Sequence, residues 1–185
     1  MLWLSNQVNE ACRNGLFVLI RFKISKIARN RFNIPFLFHR KTRQKNIHFI
    51  LHKMAKKTYT EDNKRWLAAK AQEEGVMPLP QGVYYKVLKQ GNQDAPSPTR
   101  RSIITAHYTG WTINGKKFDS SRGGTPIAMR LSDLIDGWIV AIQKMHPGDQ
   151  WELYIPAEMG YGKYSQPGIP GGSTLIFEVE LIAIG

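Results

Sequence analysis

The sequence predicts an α+β fold in which a curved antiparallel β-sheet wraps around one short helix, with a short N-terminal helix ahead of it. Three observations carry this reading. Several segments alternate apolar and polar residues with the period of a half-buried strand. Asn114-Gly115 between two of them is a hairpin signal. The stretch from Leu134 to Met145 has so broad an apolar face at helical spacing that a sheet must cover it.

Taken in order, the elements are as follows. From Thr60, a suitable N-cap, TEDNKRWLAAKAQEEG places acids early and strong helix formers throughout, and Gly75 ends it. VMPLPQG is a proline-punctuated linker. Val83, Tyr85 and Val87 then alternate with Tyr84, Lys86 and Leu88 as a strand does. NQDAPSPTRRS is a loop. Ile103 to Trp111 is β-branched and aromatic, and it pairs with TINGKKF through the Asn114-Gly115 turn. SSRGGTP is an irregular connection to the apolar helix, in which Leu134, Ile135, Trp138, Ile139, Ile142 and Met145 share a face and HPGD ends the element. Trp151, Leu153 and Ile155 alternate in QWELYIP. In the segment after Thr174, Leu175, Phe177, Val179 and Leu181 face one way, and Glu178 and Glu180 the other.

The charge is uneven. Of the net +12, residues 1–53 carry eleven Lys/Arg and the single acid Glu10, while the rest of the chain holds fifteen Lys/Arg against thirteen acids and is nearly neutral. The basic segment is similar to a transit peptide, and as an alternative RNRFN and HRKTRQK supply phosphate-binding charge. A plainer reading makes Met54 the start and residues 1–53 a basic leader, disordered or not native, with 54–78 as short helix and linker. Arg21 and Lys23 break the apolar run Gly15–Ile20, which is far short of the roughly 20 residues a bilayer span needs. No membrane and no nucleic acid are therefore expected as partners, and a cytoplasmic location is the default. Cys12 is the one cysteine, which excludes an internal disulfide and a cysteine-based zinc cluster.

His107, Asp119, Ser120 and Ser121 offer the residue types of a nucleophilic centre without its framing. There is no Gly-x-Ser-x-Gly elbow, and His107 and Tyr108, adjacent in a strand, point to opposite faces. His107 and His146 are too far apart to make a ligand pair, and SRGGTP and PGIPGG lack the Gly-Lys-Ser/Thr ending of a phosphate cradle. No cofactor and no metal are expected. What remains is a set of aromatic residues at element ends, Tyr108, Phe118, Trp138, Tyr161 and Phe177, beside loops that carry Pro126, Pro167 and Pro170. Each alone is as readily core as site.

HYTGWTINGKKFDSS, LIDGWIVAIQKMHPGDQWELYIP and YGKYSQPGIPGGSTLIFEVELI, in this order and spacing, resemble the FKBP-type peptidyl-prolyl isomerases over about Leu79 to Gly185. The preceding EEGVMPLPQGVYYKVLKQG resembles the bacterial macrophage infectivity potentiator branch of that family. The resemblance implies an FKBP-like fold for an isomerase domain over 79–185, a pocket between helix and sheet, and rotamase activity on X–Pro bonds that assists protein folding. The alternative is a proline-peptide-binding chaperone module with little turnover. By motif position, Trp138 is implied as the pocket floor, with Tyr108, Phe118 and Phe177 as walls. The backbone N–H of Ile135 is implied as a donor to a substrate carbonyl, and Asp119 and Tyr161 as polar rim groups. Ile127, Leu134, Gln166 and Ile169 are implied substrate-binding positions, Ile127 standing where an aromatic is common and Gln166 where a histidine is common. Implied partners are proline-containing polypeptides and the macrolide inhibitors of the family, with the chain a monomer or weak dimer.

Overall fold

A computed structural model of the chain describes residues 38–185. The expectations for Cys12, for Gly15–Ile20 and for the rest of residues 1–37 lie outside them. The compact unit that holds the sheet comprises Ile47–Gly185.

Helix α1 runs over Phe38–Lys70. It does not start at Thr60: the Thr60 hydroxyl donates to the Lys56 carbonyl at 3.1 Å, a bond made inside a helix rather than at its beginning. The reason lies in composition. Between Pro35 and Gly75 there is neither glycine nor proline, so nothing stops the helix from continuing upstream through the charged residues. The boundary expected at residue 53 therefore falls within a helix. Downstream, Ala71 to Glu74 form turns, and Gly75, at φ 80°, reverses the chain into the sheet.

The strands are β1 (Val76–Pro78), β2 (Tyr84–Lys89), β3 (Ile103–Thr112), β4 (Lys117–Ser120), β5 (Ile127–Arg130), β6 (Gln150–Ile155) and β7 (Leu175–Ile184). They form one antiparallel sheet in the order β1-β2-β6-β7-β3-β4, with β5 also pairing β3. Strand β5 lies in the stretch after the irregular connection and was not foreseen, because four residues with a single β-branched side chain give little signal. The register fixes the site: Tyr108 lies opposite Val179, and Gly110 opposite Phe177. Leu153 lies opposite Phe177 from the other side.

Helix α2 is shorter than its apolar spacing suggests, Asp136–Ile142, and a 3-10 turn at Leu131–Asp133 leads toward it. Its Trp138, Ile139, Ala141 and Ile142 enter one core with Leu153, Ile155, Leu175, Val179 and Leu181 from β6 and β7. The curved sheet covers the helix as the patterning demands. The turn from α2 to β6 is closed by Asp149, only 1% exposed, which accepts from the His146, Gly91 and Gln93 nitrogens at 2.7, 2.6 and 3.0 Å. The C-terminal part of α1 packs on the same unit: Trp66 meets Tyr154 edge-on at 6.0 Å, and Lys70 Nζ lies 5.4 Å from the centroids of both rings.

Candidate functional site

Between α2 and the concave face of the sheet lies a cavity of about 470 Å³, a size usual for small-ligand sites. Its floor is Trp138, 4% exposed, which α2 presents from its first turn, on the face turned to the sheet. Four rings meet there edge to face. Trp138 is 5.3 Å from both Tyr108 and Phe177, at interplanar angles of 84° and 88°, and Phe118 lies 5.5 Å from Phe177 at 85°. Each ring thus sets its positive edge against its neighbour's negative face. Trp138 Nε1 is buried with no hydrogen-bond partner among the described residues, so ring packing alone orients the indole.

Gly110 makes this cage possible. A Cβ there would stand 2.6 Å from the Phe118 ring and 2.8 Å from that of Phe177, so any side chain on β3 at this point would displace a wall. Beside it the β3–β4 register shifts between Gly110 and Trp111, a bulge next to the pairing of Gly110 with Asp119.

The polar rim is ordered by β3 and β4. The Tyr108 hydroxyl donates to Asp119 Oδ2 at 2.5 Å, and the Ser120 amide donates to Oδ1 at 2.8 Å. Burial, followed by this bond to Asp119, holds the Tyr108 hydroxyl well above the ordinary tyrosine range. Tyr161, 37% exposed at the mouth, is raised by burial and then by the Asp119 charge. Both phenols stay neutral donors at physiological pH. Among the described residues no backbone acceptor takes the Ile135 amide, while the Ile135 carbonyl accepts from Trp138 and Ile139.

The serines and His107 stand apart from this chemistry. Ser121 Oγ accepts from the Tyr108 amide at 2.9 Å and lies 3.1 Å from His107 Nδ1. Ser120 Oγ pairs with Thr109 Oγ1 at 2.9 Å. These bonds fasten β4 to β3, and with Tyr108 turned into the cavity His107 lies on the other face.

The cavity gathers the sequence-predicted Tyr108, Phe118, Asp119, Ile135, Trp138, Tyr161 and Phe177, together with Leu134, Gln166 and Ile169. Ile127 is not among the residues that line the cavity. It pairs with Ala106, and Met129, two residues further along β5 on the same face, takes the wall position instead. Sequence reasoning also missed Met129 and Asp133 as lining residues and treated Pro167 only as part of a loop. For Met129 the missing signal was β5 itself. Asp133 sits in a 3-10 turn that has no apolar period to betray it.

A sheet folded over one helix, with an aromatic cleft between them and hydroxyl, carboxylate and amide groups at its mouth, is the architecture of a small α+β domain built around a ligand-sized cavity. The comparisons narrow this. Residues 95–182 match the family model described as FKBP-type peptidyl-prolyl cis-trans isomerase. The peptidyl-prolyl cis-trans isomerase Mip of Coxiella burnetii is 40% identical over 126 residues, 67% of this chain and 54% of that protein. The FKBP-type 22 kDa peptidyl-prolyl cis-trans isomerase of Escherichia coli is 41% identical over 122 residues, 65% of this chain and 58% of that one. A crystal structure of a peptidyl-prolyl cis-trans isomerase from Pseudomonas syringae superposes with a TM-score of 0.65 at 31% identity, covering 70% of this chain and 95% of that chain. The crystal structure of FkpA from Escherichia coli superposes at 0.67 and 27% identity, covering 98% and 89%. The chain belongs to the FKBP-type peptidyl-prolyl cis-trans isomerases and resembles their Mip branch. It spans about half the length of the curated relatives it matches.

Proposed function

We propose that this chain accelerates cis–trans rotation about X–Pro bonds in polypeptides, and so assists folding. The observation that carries the reading is the four-ring cage of Tyr108, Phe118, Trp138 and Phe177 under a rim of neutral donors.

Rotation about a prolyl amide meets a barrier of roughly 18–20 kcal/mol because the twisted form loses amide resonance. The planar amide is the more polar of the two, and water favours it. A dry aromatic cleft removes that preference, so the twisted form gains relative to the ground state. In this reading the proline ring rests on the Trp138 indole, and the Ile135 N–H, which has no backbone acceptor among the described residues, and the neutral Tyr161 hydroxyl hold the flanking carbonyls. Asp119 keeps Tyr108 upright in the wall. A 10⁵-fold acceleration needs about 7 kcal/mol of such differential stabilisation. Burial of the ring, desolvation and two or three hydrogen bonds supply an amount of that order, and no covalent intermediate is required.

Family membership supports proline-containing polypeptides as ligands and the family's macrolides as competitors for the same cleft. The test is the isomerisation rate of an X–Pro peptide in a protease-coupled assay, with wild type against Trp138→Leu. Acceleration that disappears in the variant supports the reading. Peptide binding without acceleration selects a holding module that uses the same groove.

A further inference from the structure

Asn63 is an anomaly in α1. Asparagine is a poor resident of a helix interior, because its amide competes for backbone partners, yet this one is 1% exposed. Its Nδ2 donates to the Tyr59 carbonyl at 2.9 Å, and its Oδ1 accepts from the Thr174 backbone N–H at 2.7 Å, across 111 residues of sequence. Thr174 Oγ1 donates back to the Asn63 carbonyl at 3.3 Å. One turn earlier, the Tyr59 hydroxyl lies 2.8 Å from Ser173 Oγ, and Ser173 Oγ donates to the Pro170 carbonyl at 2.6 Å. Thr60 sits so close that a Cβ on Gly172 would come within 2.6 Å of its Oγ1.

These bonds end on a segment that matters to the pocket. The loop leading to Thr174 carries Gln166, Pro167 and Ile169, all of which line the cavity. The loop is held internally by few bonds: Gln166 and Ile169 exchange backbone bonds at 2.9 Å, Gly171 N–H donates to Ser165 Oγ, and Gly172 N–H donates to the Gly162 carbonyl. Its C-terminal base is clamped by α1. Thr174 also immediately precedes β7, which carries Phe177.

We propose that Asn63 is a positioning residue for the cleft, fixing through Thr174 the loop wall that receives the chain flanking the proline. It touches no ligand itself. The inference rests on the isomerase reading and extends it to α1: the last turns of the helix are a working part of the site. Pre-ordering a wall that binds ground and transition states alike acts on affinity, so its loss raises KM and leaves kcat nearly unchanged.

The experiment uses the full chain and an X–Pro peptide under saturating and subsaturating conditions. Asn63→Ala is expected to raise KM about fivefold with kcat within about twofold, and to speed amide hydrogen exchange at Ile169. Trp66→Leu is the control, since it loosens the same helix against Tyr154 without touching the loop. It should lower the melting temperature while leaving KM in place. If Asn63→Ala does not fold, Tyr59→Phe, which removes only the bond to Ser173, should shift KM in the same direction by about twofold. Unchanged KM in the folded variant, or an equal rise in Trp66→Leu, overturns the inference. A wild-type chain that accelerates nothing overturns the isomerase reading, and this inference with it; an active wild type with an indifferent variant overturns this inference alone.

Discussion

Tyr108 and Asp119 are joined by a 2.5 Å hydrogen bond across two neighbouring strands, at the point where a bulge shifts their register. The bond holds a phenol ring upright in the cavity wall and places a carboxylate at the mouth. Tyr108→Phe and Asp119→Asn should therefore each lower kcat/KM by about tenfold, about 1.4 kcal/mol of transition-state stabilisation, with small changes in melting temperature. Full activity in both would show that the pair is only structural.

The ring cage and the serine–histidine cluster make opposite forecasts. Trp138→Leu should abolish most isomerisation, while His107→Gln should stay within about twofold of wild type, because its contact is to a serine that fastens strands. Phe177→Ala should lose activity as well, but at about 3–5 kcal/mol of stability for a core ring its result has to be read beside a melting curve.

Gly110→Ala tests the cage without removing any ring. The added methyl falls within 2.6–2.8 Å of two aromatic side chains, so Phe118 or Phe177 must move. Overpacking of this kind costs roughly 1–3 kcal/mol, and peptide affinity should fall with it. A variant of wild-type affinity would mean that the walls are more pliant than their packing implies.

Alkaline pH should destabilise the fold through its tyrosines. Burial, reinforced by hydrogen bonds to Asp119 and Glu152, raises Tyr108 and Tyr154 above their unfolded value. A phenol whose folded pKa is raised releases its proton more easily in the unfolded chain. Its contribution is thus fully present below about pH 10 and declines as pH climbs from there toward the folded pKa. Urea midpoints should be level from neutrality to about pH 9 and drop above pH 10, and Tyr108→Phe should flatten that drop.

Arg122 bridges Glu178 at 2.8 Å and Glu180 at 3.2 Å on the outer face of the sheet. All three side chains are about a third exposed, so Arg122→Ala should change stability by less than about 1 kcal/mol, and less still in high salt. Activity should be untouched.

Much of this architecture is legible in the chain because its signals are local. Phe177, Val179 and Leu181 alternate with Glu178 and Glu180, the acids that bind Arg122, and Asn114-Gly115 marks its turn with Gly115 at φ 77°. Four features were not legible, each for its own reason. The length of α1 was hidden because Thr60 followed by acids imitates a helix start. Met129 was hidden because a short edge strand has too few residues for a period. The role of Asn63 was hidden because its partner lies 111 residues away, and no pattern in one helix reports a bond to a distant loop. Gly110 looked like any glycine in a strand until the rings it accommodates were seen together.

The topology has a further implication for biogenesis. Strand β7, the last of the seven in chain order, lies in the interior of the sheet between β6 and β3. Until Leu175–Ile184 has left the ribosome, the facing edges of β3 and β6 are bare and α2 has no lid. The chain thus passes through a nascent stage in which its own half-built sheet is open to unwanted pairing, and truncated translation products should be found in aggregates rather than in solution.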